Sequence, residues 1–334
     1  MCQQNPACTY SQAVNQPSQS CSQIWLKENA WVRVKELPEI ERTLDSNGRK
    51  DGLPFMPEMV EFCGKTLRIR RLADRVCLGG FRKHEGIGHL ENARCTGAAH
   101  GGCQAACLLF WDESWLEPAL GAGLQCSGTA FSGSTTSVDL RPCFDATTQR
   151  YSCQLTEVPK LGTPIPVPGM WEYLCNYASG QLSHSKFKFL VKWFSDRVLM
   201  AILRRLRWIP SRVDSTTREF NIGDLVRVRS RAEILRTLDR SAAHKGLKVT
   251  ADMLRYCGKT VRITSRVNRI VDEYSGQLKI LKNDCYILDG VTCAGGGLLC
   301  SREELYYWRG IWLEKIAAEI EAESNEREYE DLPE

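Results

Sequence analysis

The chain has 334 residues, 43% of them hydrophobic and 25% charged, and a formal net charge of +4. That is ordinary globular composition with apolar residues enough for two cores, so no small domain here needs a metal merely to fold. The slight positive balance gives no reason to invoke a polyanion partner, and no run of 18 uncharged apolar residues exists to span a membrane.

The opening residues Met1-Cys2-Gln3-Gln4-Asn5 carry no basic segment and no apolar run, which argues against a secretory signal and for a cytoplasmic protein. Sixteen cysteines in a reducing compartment read as metal ligands or reactive thiols before disulfides. Residues 1–24 are rich in Gln, Asn and Ser and read as a disordered arm, with Cys2, Cys8 and Cys21 assigned nothing.

A first unit spans residues 25–120. Val32-Arg33-Val34 alternates as a half-buried strand does, and Pro38 to Leu44 has the spacing and early proline of a short helix. Lys65 to Val76 alternates again, with Leu67 and Ile69 on one face and Arg68 and Arg70 on the other. Such basic strands read as a solvated face, not a nucleic-acid platform. Phe110 to Leu116 fits a helical turn or a closing strand.

Residues 121–220 read as a linker. Its start is Gly/Ser/Thr-rich, and residues 159–169 hold four prolines, which suit an extended segment. Lys186 to Trp208 then repeats Phe187, Leu190, Val191, Phe194, Val198, Ile202 and Leu206 at helical spacing, with basic polar positions. This basic amphipathic helix is expected to pack between the flanking units, with peripheral contact to an anionic membrane as the other outcome. Cys143, Cys153 and Cys175 read as packed, or as completing a site with the first unit.

A second unit, residues 221–318, repeats the first, and residues 319–334 form an acidic tail. Val32 to Val76 aligns without a gap on Val226 to Ile270, at an offset of 194 and with 19 of 45 positions identical. Cys63-Gly64-Lys65-Thr66 matches Cys257-Gly258-Lys259-Thr260, and Cys95, Cys103, Trp111 and Trp115 match Cys293, Cys300, Trp308 and Trp312. Short strands, turns and one small helix per unit lead us to expect a mainly β fold of two tandem SH3-like small barrels.

A duplicated unit is its own control, because what both copies keep is what the unit needs. Both keep three cysteines. The densest cluster is Cys95-x4-His100-x2-Cys103-x3-Cys107, with Gly97, Gly101 and Gly102 allowing a tight fold around an ion. One zinc site per repeat is expected: Cys63, Cys95 and Cys103 with His100, Cys107 or Cys77 in the first, and Cys257, Cys285, Cys293 and Cys300 in the second. An iron–sulfur cluster, plain core packing and disulfides are the other readings. A thiol or metal enzyme centred on His100, Cys103 and Cys107 is the rival to a structural site.

The pattern Tyr151-x-Cys153-Gln154-x-Thr156-Glu157, then Gly223-x-Leu225-Val226-Arg227-Val228, then Trp308-Arg309-x-x-Trp312-Leu313-Glu314 resembles an uncharacterised bacterial family, and the Cys95–Cys107 motif fits it too. The resemblance covers about residues 30–315. It implies a bacterial cytosolic protein encoded near genes for glycan or natural-product biosynthesis, and carries no activity. The sequence therefore points to a metal-binding accessory or scaffold protein with protein partners.

Overall fold

The computed structural model describes residues 25–78, 80–119, 143–166, 170–180, scattered positions within 184–201, and residues 219–239, 241–295 and 300–316. The disordered arm, the Gly/Ser-rich linker, the end of the basic helix and the acidic tail lie outside them.

Apolar alternation builds the first unit. In β1 (Trp31–Val34) the buried positions are Val32 and Val34, and they begin the first core. The helix α1 (Leu37–Glu41) starts on a proline and buries only Ile40. Strand β2 (Thr66–Leu72) pairs with β1 and with β3 (Ile87–Leu90). Strands β4 (Trp111–Asp112) and β5 (Leu116–Pro118) complete a sheet in the order β4-β3-β2-β1-β5. Trp111 and Trp115, fully buried, fill the space beneath it.

The middle segment belongs to this unit more than to a linker. The helical turn α2 (Gln154–Glu157) puts the Gln154 side chain into the core. Gln154 donates to the carbonyls of Pro54 and Phe110 and accepts from the Phe110 amide. Three backbone groups that would otherwise be buried unpaired are thus satisfied by one amide. Thr163–Pro164 adds a short strand to Arg82–Lys83. Helix α3 (Met170–Ala178) follows, and its Tyr173 and Tyr177 pack with Phe187, Leu190 and Phe194. Among the described residues, the apolar stripe of the basic helix therefore rests on α3, not on either sheet. No helix among the described residues is long and apolar enough to cross a membrane.

The second unit reproduces the first. Strand β6 (Leu225–Val228), helix α4 (Arg231–Arg236), β7 (Thr260–Arg266), β8 (Tyr286–Leu288) and β9 (Leu313–Lys315) form a sheet in the order β8-β7-β6-β9. Register is shared: Val32 faces Leu67 as Val226 faces Val261, and Val34 faces Leu116 as Val228 faces Leu313. Both long strands carry an irregularity at the same place, between Ile69 and Arg71 and between Ile263 and Ser265. Positive φ recurs at aligned positions, including Gly48 and Ala242, and Asp51 and Lys245. The Nε1–H of Trp115 donates to the Thr43 hydroxyl, and that of Trp312 to Thr237.

Both sheets are open, and no closed barrel forms among the described residues. The chain between β2 and β3 does not close the sheet; it reaches across to the other unit. The Gln104 amide donates to the Arg269 carbonyl at 3.0 Å, and the Ser301 amide to the Arg75 carbonyl at 3.0 Å. The Val271 amide donates to Cys103 Sγ at 3.2 Å, and the Cys77 amide to Cys300 Sγ at 3.3 Å. Arg75 aligns with Arg269, Cys77 with Val271, and Cys103 with Cys300. Each unit thus offers the other the same hairpin and the same loop, which is the reciprocity of a two-fold interface built within one chain.

Candidate metal centre

The Cys95–Cys107 motif forms a tight loop. Its ends meet where the Cys95 amide donates to the Cys107 carbonyl at 2.8 Å. Gly97 has φ +74° and accepts from both His100 and Gly102 amides; a Cβ there would lie 1.8 Å from the Cys103 carbonyl oxygen, so only glycine fits. This turn carries His100 inward, where it is buried.

His100 arrives beside Cys95 and Glu58. Its Nε2 lies 3.5 Å from Cys95 Sγ, and its Nδ1 lies 3.4 Å from Glu58 Oε1. Cys95 Sγ is 3.9 Å from the same carboxylate oxygen. The ligand atoms of these three residues all lie within 4.8 Å of one another, and among the described residues no other such group of three forms. Glu58 comes from the 3-10 turn Pro57–Phe62, and its side chain is only 3% exposed, with that of His100 at 5%. Glu58 Oε1 accepts from the Ala99 amide, whereas Glu58 Oε2 and His100 Nδ1 make no hydrogen bond.

Burial sets the protonation of the pair. It pushes the Cys95 thiol well above its usual range, aided by the nearby Glu58 charge, and it pulls the His100 imidazole down, against Glu58. Neutral imidazole is the form that binds a metal. A cavity of about 20 Å³ is lined by Cys95 and His100, and by Cys103, Cys107 and Cys153. Burial raises the Cys107 thiol and holds Cys153 up at about 11. A larger cleft of about 220 Å³, between the two units, shares Cys107, Leu108, Phe110, Leu155 and Val271 with that cavity.

The other cysteines expected at metal sites sit elsewhere. Cys63 and Cys257 end matching 3-10 turns and pack against their own cores, where burial raises the Cys63 thiol to about 11. Cys285 is buried in a satellite cluster, 3.3 Å from Arg309 Nη1. Cys103 and Cys300 accept the amide hydrogen bonds across the interface. Cys293 matches Cys95, and Asp252 matches Glu58, with Sγ 4.0 Å from Oδ2. In place of a histidine, the Tyr306 hydroxyl donates to Asp252 at 3.3 Å. One metal site per repeat is the expectation; among the described residues a group of three candidate ligands forms only in the first, because the second has no histidine in its loop and a phenol beside its acid.

Sequence reading missed Glu58 and left Cys153 open. Glu58 carried a signal: it aligns with Asp252, the same charge kept within a stretch that otherwise diverges. Compared with known protein families, curated proteins and solved structures, the chain gives no match.

Proposed function

We propose that this protein binds one metal ion of the zinc type at Glu58, Cys95 and His100, and works as a metal-dependent accessory or scaffold protein. The observation that carries the reading is the buried carboxylate. A carboxyl group that is 3% exposed and has one oxygen unpartnered is costly to hold unless a partner such as a cation meets it. The spacing suits a tetrahedral ion. With zinc–sulfur and zinc–nitrogen bonds of about 2.3 and 2.0 Å, the two ligand atoms sit about 3.5 Å apart, and Cys95 Sγ and His100 Nε2 are 3.5 Å apart. Cys103, Cys107 and Cys153 stand round the adjoining cavity as sources of a fourth ligand.

A second reading takes the order Cys95–His100–Glu58 as nucleophile, base and orienting acid. The distances allow it, but the charges oppose it. An activated thiol needs a depressed thiol and a raised imidazole, and burial drives both the other way. A bound cation reverses that cost, so metal ligation is the reading we adopt. The SH3-like ancestry of each repeat and a place beside bacterial biosynthetic enzymes complete the proposal, supported by the strand order and by the residues of the family resemblance.

Cobalt substitution tests it. The Co²⁺-loaded protein should give the thiolate-to-metal charge-transfer band and intense visible bands of a four-coordinate site. These should vanish in Cys95→Ser and shift in His100→Ala. A pale six-coordinate spectrum, or a spectrum unchanged in Cys95→Ser, would sink the assignment.

A further inference from the structure

We propose that Cys77 and Cys300 form a dithiol site that a low-molecular-weight disulfide, such as oxidised glutathione, converts into a disulfide locking the two repeats together. The pair stands apart from the metal centre, and the inference does not rest on it. The two residues are 223 positions apart in the chain, yet the Cys77 amide donates to Cys300 Sγ at 3.3 Å, and the two side chains share a hydrogen bond. The contact lies in the reciprocal hairpin-to-loop interface, next to the Ser301–Arg75 hydrogen bond. Its mate on the other side of the pseudo-two-fold pairs Cys103 with the amide of Val271. One half of the interface thus holds two thiols where the other holds a thiol and a valine. The hydrogen-bond geometry is the same in both, so packing alone does not call for the second sulfur.

Exposure sets the order of the chemistry. Cys77 is half-buried and Cys300 is 2% exposed, so the incoming disulfide meets Cys77 first. Cys300, whose thiol is lowered to about 7 by its hydrogen bond with Cys77, takes the Cys77 proton; the Cys77 sulfur attacks one sulfur of oxidised glutathione, forming a mixed disulfide and releasing one glutathione as its thiolate. Cys300, already in contact, attacks the Cys77 sulfur and expels the second glutathione. Two protein thiols are oxidised by two electrons and one glutathione disulfide is reduced to two thiols. The closed loop runs from Cys77 to Cys300, through the end of the first unit, the middle segment and most of the second unit, so it constrains the unfolded chain and fixes the cleft between the units.

The test is oxidation of the folded full-length protein with oxidised glutathione, alkylation of remaining thiols, and peptide mass spectrometry. The expected product is a Cys77–Cys300 cross-linked peptide, with faster migration on a non-reducing gel that dithiothreitol reverses. Cys77→Ser, at the half-exposed position, should abolish both. Val271→Cys should add a second cross-link, to Cys103, because it restores the mate of the pair. A folded protein in which Cys77 and Cys300 stay fully alkylatable after oxidation overturns the proposal, as does glutathione retained on Cys77 with no cross-link.

Discussion

The two repeats share register and interface, but they differ in what meets a matching buried acid. In the first, an acid and a cysteine are joined by His100 from the loop. In the second, the matching Asp252 and Cys293 are joined by Tyr306, at the position Leu109 holds in the first. A phenol can satisfy a buried carboxylate with one neutral hydrogen bond, whereas an imidazole turned neutral by burial leaves the carboxylate partly unsatisfied. One copy therefore pairs its acid within the protein, and the other leaves one carboxylate oxygen unpartnered, where we propose a cation binds. The difference shows how two copies of one scaffold can treat the same buried acid in different ways.

The largest single-residue effect on stability should come from acid, at a histidine of the first repeat that the second lacks. His89 is fully buried on β3, where its aligned partner on β8 is Ile287, and burial lowers its imidazole to about 4. Below the ordinary histidine value the unfolded chain takes up a proton that the folded chain refuses. Stability is then full above about pH 6.5 and is lost as pH falls toward 4, by about 3 kcal/mol. Urea unfolding of the chelator-treated protein at pH 7 and pH 4 should show this loss, and His89→Ile should reduce it by about 3 kcal/mol, leaving the smaller share of His84 and His100, whose imidazoles burial also lowers. An unchanged pH slope in His89→Ile would break this contrast between the copies.

Smaller and symmetric effects should come from the shared Trp–Thr bond. Thr43→Val and Thr237→Val each leave a buried indole N–H unpartnered and should each cost about 2 kcal/mol. Unequal losses in thermal unfolding would mean that the two copies are less alike than their registers show. The smallest effect should be a gain: Ala242 sits at φ +58° where the first repeat has Gly48. Ala242→Gly should stabilise the protein by roughly 0.5 kcal/mol, by releasing that strain against the added chain entropy of glycine.

Much of this was legible in the sequence. The ungapped alignment of Val32–Val76 on Val226–Ile270 predicts one unit twice, and the paired strands keep its register. Cys95 and His100 were legible as a pair because their loop is short and glycine-rich. Glu58 was not, since a lone acid between Pro57 and Met59 reads as a solvated turn until folding buries it. The barrel expectation failed for a long-range reason: hairpins that could close a sheet instead bind the other repeat. That same interface gives the duplicated Cys103 and Cys300 a second reason to persist, since duplication preserves contacts between copies as well as sites within them.

The central claim is that one copy binds metal and the other does not. Native mass spectrometry of the protein, loaded with zinc and freed of excess, tests it directly. One zinc per chain is expected in the wild type, none in Cys95→Ser, and one in Cys293→Ser. Two ions in the wild type, none at all, or loss of the ion in Cys293→Ser instead of Cys95→Ser would contradict it.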